Sequence, residues 1–231
     1  MEQKEYTKTN IGQIVADDFR AAEILKDAGI DFCCGGKKTL EEACKEKSIN
    51  PEIIEKRIQD LALIPATHSQ NFKEWSLDFL ADYIVNTHHK YVIKTLPELV
   101  FYTGKIAAVH GSNHKELQEV ADLFSQINTE LLQHLKNEEE ALFPAIKEVL
   151  KTNSQESRKT IQSEINRMTG EHEFAGGAMD KINEITNGYK VPEDGCSTYH
   201  VTFKLLRQFE DDLHIHVHLE NNILFPKALK L

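Results

Sequence analysis

Two stretches of this chain carry imidazole, carboxylate and proline in the same order. His134-Leu-Lys-Asn-Glu138 continues through Glu-Glu-Ala to Leu142-Phe143-Pro144, and His216-Val-His-Leu-Glu220 continues through Asn-Asn-Ile to Leu224-Phe225-Pro226. Both read His-x3-Glu-x3-Leu-Phe-Pro, 82 residues apart. An internal repeat that preserves polar residues asks for a reason beyond packing. Four residues is one helical turn, so each histidine and its glutamate share a face. Ile127, Leu131, His134, Glu138, Leu142 and Ala145 form one such face, and Phe209, Leu213, His216, Glu220, Ile223 and Leu224 form another. Apolar faces turn to the core. Each helix therefore carries an imidazole and a carboxylate inward, and a carboxylate is rarely buried without a cation to offset its desolvation.

Two further stretches supply imidazoles. Ile161, Ile165, Met168, His172, Ala175 and Met179 make an apolar stripe whose polar member is His172. His88 and His89 are adjacent, and register separates them. His216 follows His172 by 44 residues, while His134 follows His89 by 45 and His88 by 46, which favours His89. The candidate ligand set is His89, His134, Glu138, His172, His216 and Glu220. Nitrogen and carboxylate donors without thiolate suit iron, manganese or zinc. Two repeated halves, each with two histidines and one glutamate, point to two metals. Carboxylates inside a four-helix bundle favour a di-iron pair bridged by the glutamates.

A single buried histidine is more often a core residue than a ligand, but six polar residues on four inward faces, partly repeated, exceed that explanation. The other histidines read differently. His214 and His218 are rotated about 200° from His216 and are expected in solvent. His110 and His114 straddle Gly111-Ser112-Asn113, so a shared face is doubtful, and His110 is at most a group near the bundle end. In the run Glu138-Glu139-Glu140 only Glu138 is expected to face inward. Cys33-Cys34, before Gly35-Gly36, places two thiols on a turn between helices. Backbone N–H groups there would lower a thiol pKa if the turn opens a helix. The pair reads as redox or metal-handling chemistry, against the plainer reading of two small residues in a tight turn. Cys44 lies in a helical pattern and reads as structural, and Cys196 is open.

The elements that must position these groups are helical nearly throughout. A small helical module occupies residues 1–64. Asp17 is expected to cap a helix that stops at Gly29, Thr39 with Glu42 has capping-box spacing, and Asn50-Pro51 opens a third helix. A polar linker is expected at Pro65–Asn71. Four long helices follow in residues 73–231: Leu77–Val109, Lys115–Leu150, Ser157–Thr186 and Thr198–Leu229. Short connections make them an antiparallel bundle, so the fold class is all-α.

Composition narrows the partners. The 231 residues carry a net charge of −10, which repels phosphate backbones and argues against nucleic acid. No apolar run reaches the ~20 residues of a membrane span. The polar start, Met1 to Asn10, has no signal-peptide core, so a cytoplasmic location is expected. Four cysteines do not make a disulfide framework.

The motifs resemble a known family. Asp31-Phe32-Cys33-Cys34-Gly35-Gly36 is similar to the signature of the small N-terminal domain of the iron-sulfur cluster repair proteins, also called the repair-of-iron-centres family. Their hemerythrin-like domain is resembled by His89 ahead of Leu96-Pro97-Glu98-Leu99, by His134-x3-Glu138, by Glu171-His172-Glu173 and by His216-x3-Glu220-Asn221-Asn222-x-Leu224-Phe225-Pro226. Oxygen-carrying hemerythrins use five histidines with a bridging glutamate and aspartate, so simple oxygen carriage does not fit. The resemblance implies two non-haem irons, bridged by oxygen or carboxylate, in a homodimer. It also implies repair of iron-sulfur proteins damaged by oxidative or nitrosative stress, by donation of iron. Reduction of nitric oxide and sensing of oxygen or redox state remain alternatives, with NO and O2 as diatomic ligands. Cys33 and Cys34 would serve redox exchange or iron handover, and Glu171 would line an access path.

Overall fold

The computed structural model describes residues 5–63 and 71–231. The linker expected at Pro65–Asn71 lies outside them, apart from Asn71. Among the described residues the fold is all-α, a four-helix bundle preceded by a small helical region. The one strand-like feature is an isolated antiparallel bridge between Asn10 and Thr39. The chain forms two compact units, one of Met1–Leu80 with Ile215–Lys230 and one of Ala81–His214.

The first unit begins with α1 (Ile11–Asp17) and α2 (Ala21–Asp27). The expected cap at Asp17 is a correction: Asp17 ends α1, a helix the sequence reading lacked. The carboxylate just before α2 is that of Asp18, which Arg20 grips from 2.6 Å. Gly29 stops the chain after α2 with φ of 64°, a left-handed conformation that costs glycine little. The capping box at Thr39 and Glu42 is formed and starts α3 (Leu40–Glu46). The Asn50 side chain accepts from the Glu52 N–H and opens α4 (Pro51–Ala62). Ile11, Ile14, Leu25, Phe32, Leu40, Ile54 and Ile58 are buried together as the core.

The last segment of the chain belongs to this unit. Lys227 Nζ donates to the carbonyls of Lys73 and Trp75 at 2.9 and 2.8 Å. Asn222 Nδ2 lies 3.3 Å from the Phe32 carbonyl and 3.1 Å from that of Cys33. The Asn222 amide fills the space beside Gly36 so closely that a Cβ there would stand 2.4 Å from its Oδ1. Glycine at position 36 is thus set by an asparagine far along the chain.

The four expected long helices are present, with π turns interrupting three of them. The first runs as α5 (Leu77–Ile84), a π turn at Val85–His89 and α6 (Lys90–His110). The second runs as α7 (Glu116–Asn137), a π turn at Glu138–Leu142 and α8 (Phe143–Thr152). The third, α9 (Gln155–Ile185), is unbroken and is capped by Ser154. The fourth is α10 (Ser197–Leu219), followed by a π turn at Glu220–Leu224 and α11 (Phe225–Ala228). A π turn closes one residue wider than an α turn, as where the Phe143 N–H reaches the Glu138 carbonyl. Pro144 and Pro226 follow directly. Proline has no N–H to return four residues back, so the backbone ladder must shift there. Phe124 packs edge-on against Phe209 at 5.3 Å, between α7 and α10. No described helix is long and apolar enough to cross a membrane.

Two glycines should respond to alanine with opposite sign. Gly36→Ala drives out the Asn222 amide and its two hydrogen bonds, at a cost of about 1–3 kcal/mol. Gly104→Ala, in α6 with nothing within 4 Å of its new Cβ, should gain about 0.5–1 kcal/mol of helix propensity. Urea midpoints of the metal-free chain measure both. Equal midpoints for Gly36→Ala and the parent would mean that the asparagine can move aside without loss.

Candidate metal centre

The three π turns fall at the residues whose chemistry the sequence singled out. His89 closes the first, while Glu138 and Glu220 open the other two. All six candidate ligands are buried, and the two glutamates have no exposure at all.

In the second unit, Glu138 Oε2 lies 3.3 Å from His89 Nε2 and 3.3 Å from His134 Nε2. His172 Nε2 faces His134 Nε2 at 3.1 Å. Donor atoms of His134, Glu138 and His172 all lie within 4.8 Å of one another. In the terminal segment of the first unit, His216 Nε2 lies 3.1 Å from Glu220 Oε1. The same ring nitrogen, Nε2, is the one directed at the partner donor in every case. His88, beside His89, is also buried but is directed elsewhere, with Nδ1 2.9 Å from Asp212 Oδ1.

The outer nitrogens of two of these rings meet carboxylates. His89 Nδ1 lies 2.8 Å from Glu139 Oε1, and His134 Nδ1 lies 2.6 Å from Glu171 Oε2. An Nδ1–H given to a carboxylate leaves the Nε2 lone pair for a cation, the arrangement that orients metal-bound histidines. The hydrogen bond to His134, outweighing burial and helped by the charges of His134 and Arg167, holds the Glu171 carboxyl below its usual range. Glu171 thus stands against His134 with its side chain 25% exposed. Glu139 is exposed, as expected for the Glu138-Glu139-Glu140 run, but it has a partner the sequence reading did not foresee. Its backbone faces solvent, but its carboxylate reaches back to His89, a reach that facial periodicity does not register.

His218 is a second correction. It is fully buried, not solvated. The face opposite His216 is covered inside the first unit, where the Phe32 and Phe19 rings lie 5.6 and 6.2 Å from His218. Burial pushes its pKa down to about 4, so the ring is neutral at neutral pH. His214 is part-buried, with a donor atom close to Asp180 and Glu210.

The Cys33–Cys34 turn is a short 3-10 helix, Cys34–Lys37. Its opening N–H groups are taken by Asp31: Oδ1 accepts from Cys33 and Cys34 at 2.9 and 3.1 Å, and Oδ2 from Gly35 at 2.7 Å. The two sulfurs are 4.0 Å apart. The expectation of a lowered thiol pKa is therefore overturned for Cys33. Its pKa is raised well above the ordinary value, by the bond to Cys34 first, then by burial and the Asp31 charge. The backbone donors that would have favoured a thiolate already serve a carboxylate. Cys44 is buried in α3.

A buried set of imidazole nitrogens and carboxylate oxygens fits a divalent cation. Residues 80–228 match the model of the hemerythrin HHE cation binding domain, and residues 7–62 match a domain of unknown function, ScdA_N. The fold and the site define a cation-binding helical protein of the hemerythrin type. Over 225 residues the chain is 32% identical to iron-sulfur cluster repair protein YtfE of Pectobacterium atrosepticum, covering 97% of this chain and 98% of that one. It is 29% identical over 219 residues to iron-sulfur cluster repair protein ScdA of Staphylococcus epidermidis, covering 94% and 96%. The chain belongs to the family of iron-sulfur cluster repair proteins.

The orienting carboxylates give a test that separates neighbours in the sequence. Glu139→Ala and Glu171→Ala should each weaken metal retention about 10–100-fold, the usual cost of losing a histidine's outer partner. Glu140→Ala should leave it within about twofold, since surface changes away from such contacts are nearly silent. Competition with a chelator followed by metal analysis reads the difference. Equal effects at positions 139 and 140 would remove the orienting role from Glu139.

Proposed function

We propose that this chain repairs damaged iron-sulfur clusters by giving up iron from a pair of ions held by His89, His134, Glu138, His172, His216 and Glu220. The observation that carries the reading is the pair of glutamates, each wholly buried and each within 3.3 Å of an imidazole Nε2. Two ionised carboxylates in a low-dielectric interior call for positive charge, and two ferrous ions supply it together with a labile, redox-active store. The names of the relatives support the repair role, and damaged iron-sulfur proteins are then the targets.

The chain's own residues each have a part in this reading. Glu139 and Glu171 hold Nδ1–H of His89 and His134 and keep both rings turned inward. Glu138 and Glu220 would supply the carboxylate donors that hold the ions. Cys33, protonated at neutral pH, releases a proton on taking up a metal or an electrophile, and Cys34 beside it completes a thiol pair for redox exchange or handover. Asn222 holds the Cys33 carbonyl from the same π turn that Glu220 opens, so the cysteine turn is hydrogen-bonded to the turn that carries Glu220. Nitric oxide and dioxygen are the diatomic ligands this centre would meet, in a cytoplasmic homodimer.

Anaerobic purification and metal analysis should give two irons per chain. Glu138→Ala and Glu220→Ala should each bring this below one. Cys33→Ser with Cys34→Ser should keep both irons and lose delivery to an iron-depleted cluster protein, followed by recovery of that protein's activity. Zinc in place of iron, or a single ion, would overturn the di-iron reading. Full delivery by the double serine variant would take the thiols out of the function.

A further inference from the structure

Four cysteines are present, and the one most open to chemistry lies outside the cysteine pair and the metal centre. Cys196 immediately precedes the first residue of α10, a 23-residue helix. It is exposed, whereas Cys33 and Cys44 are buried. The backbone N–H groups of Thr198 and Tyr199, the second and third residues of the helix, favour its thiolate. A sulfur there does what a serine or aspartate oxygen does as an N-cap, and the helix terminus favours the negative form. From the end of α6, His110 Nε2 stands 3.2 Å from the sulfur. The geometry is a thiol with a proton acceptor in contact and two backbone donors aimed at the resulting anion.

The surroundings leave that arrangement intact. Five ionisable groups face it. His110 contacts the sulfur, and the Tyr199 ring lies edge-on to His110 at 5.4 Å. His114 lies 2.9 Å from Asp194 and 3.4 Å from Glu116, so both nearby carboxylates are engaged by an imidazole. Tyr199 is held protonated, its pKa pushed up to about 12 by burial and then by the charges of Glu116 and Asp194. Asp194 is held below the usual carboxylate range by His114. A recess of about 250 Å3 lined by Lys190, Val191 and Phe203 shares His114 and Tyr199 with this cluster.

We infer that Cys196 and His110 form a reactive thiol site, separate from the iron centre, that exchanges with low-molecular-weight disulfides. In the exchange the thiol proton passes to His110 Nε2, and the Cys196 thiolate attacks one sulfur of the small disulfide. The Cys196–S bond forms as the disulfide S–S bond breaks. The departing thiolate takes the proton back from His110. Nothing is oxidised beyond the exchange itself: the small disulfide is reduced to a thiol as Cys196 enters the mixed disulfide. The bond to His110, with the two backbone donors, lowers the Cys196 pKa to about 7. Exchange is fastest when the attacking thiol's pKa is near the ambient pH. The Cys33 thiol, with its pKa raised, is the slower one. The reading does not depend on the metal or on the repair role.

The test uses the full-length chain with its metal. Brief exposure to iodoacetamide across a pH series, then peptide mass spectrometry, gives a rate for each cysteine. Cys196 should react first, with a midpoint near pH 7. His110→Gln should move that midpoint towards the ordinary thiol value of about 8.5. With oxidised glutathione at neutral pH, the mixed disulfide should form at Cys196 first, and roughly three- to fivefold more slowly in His110→Gln. Cys196→Ser should abolish the fast phase and leave metal content unchanged, which keeps the test valid if His110→Gln folds poorly. An ordinary midpoint in the parent, an unmoved midpoint in a folded His110→Gln, or first modification at Cys34 would each overturn the inference.

Discussion

Burying a carboxylate is among the more expensive things a small protein can do, and here it is done twice. The effective penalty for one unpaired ion in an interior is several kcal/mol, about the size of a domain's net stability. Glu138 and Glu220 are both fully buried, and the structure around them answers that cost. Imidazole nitrogens are turned towards each carboxylate, and two of the rings are fixed from behind by Glu139 and Glu171. The π turns at these glutamates belong to the same solution. A wider turn shifts the helical face and sets the carboxylate where the regular spiral would not. Imidazole nitrogens and carboxylate oxygens buried together suit a cation, which supplies charge balance.

The final π turn does a second thing. From Glu220 it leads within two residues to Asn222, whose amide holds the carbonyls of Phe32 and Cys33 and occupies the space that Gly36 leaves. The glycine of the cysteine motif is therefore a packing consequence of a residue near the far end of the chain. On the other side of the same helix His218 is buried and neutral among Phe19 and Phe32. This helix segment has no solvent face at that level, and for that reason a histidine two residues from His216 is not a surface residue.

The cysteines illustrate how strongly surroundings decide thiol chemistry. Cys33 and Cys196 both stand at the opening of a helical turn. At Cys33 an aspartate has taken the backbone donors, and burial and a neighbouring thiol add to its charge, so the proton is held. At Cys196 the donors are left to the sulfur and an imidazole stands beside it, so the proton is released more readily. The same residue type at similar backbone positions is thereby set to opposite chemistry.

The amino-acid sequence alone determined the helical class, the approximate ends of the four long helices, the capping box at Thr39 and the inward faces that carry His134, Glu138, His172, His216 and Glu220. These follow from spacing along one helix, where neighbours in space are three or four residues apart in sequence. The tertiary structure decided what depends on groups far apart in the chain. Helix α1 was missed although it is as long as α2 and α3, which the sequence did show. The π turns were missed because a regular spiral was assumed, although Pro144 and Pro226 mark where two of them end. The partnership of Glu139 with His89, the burial of His218 and the pairing of Cys196 with His110 each join residues far apart in the chain. Periodicity says which face a residue occupies, but only folding says what comes to lie against that face.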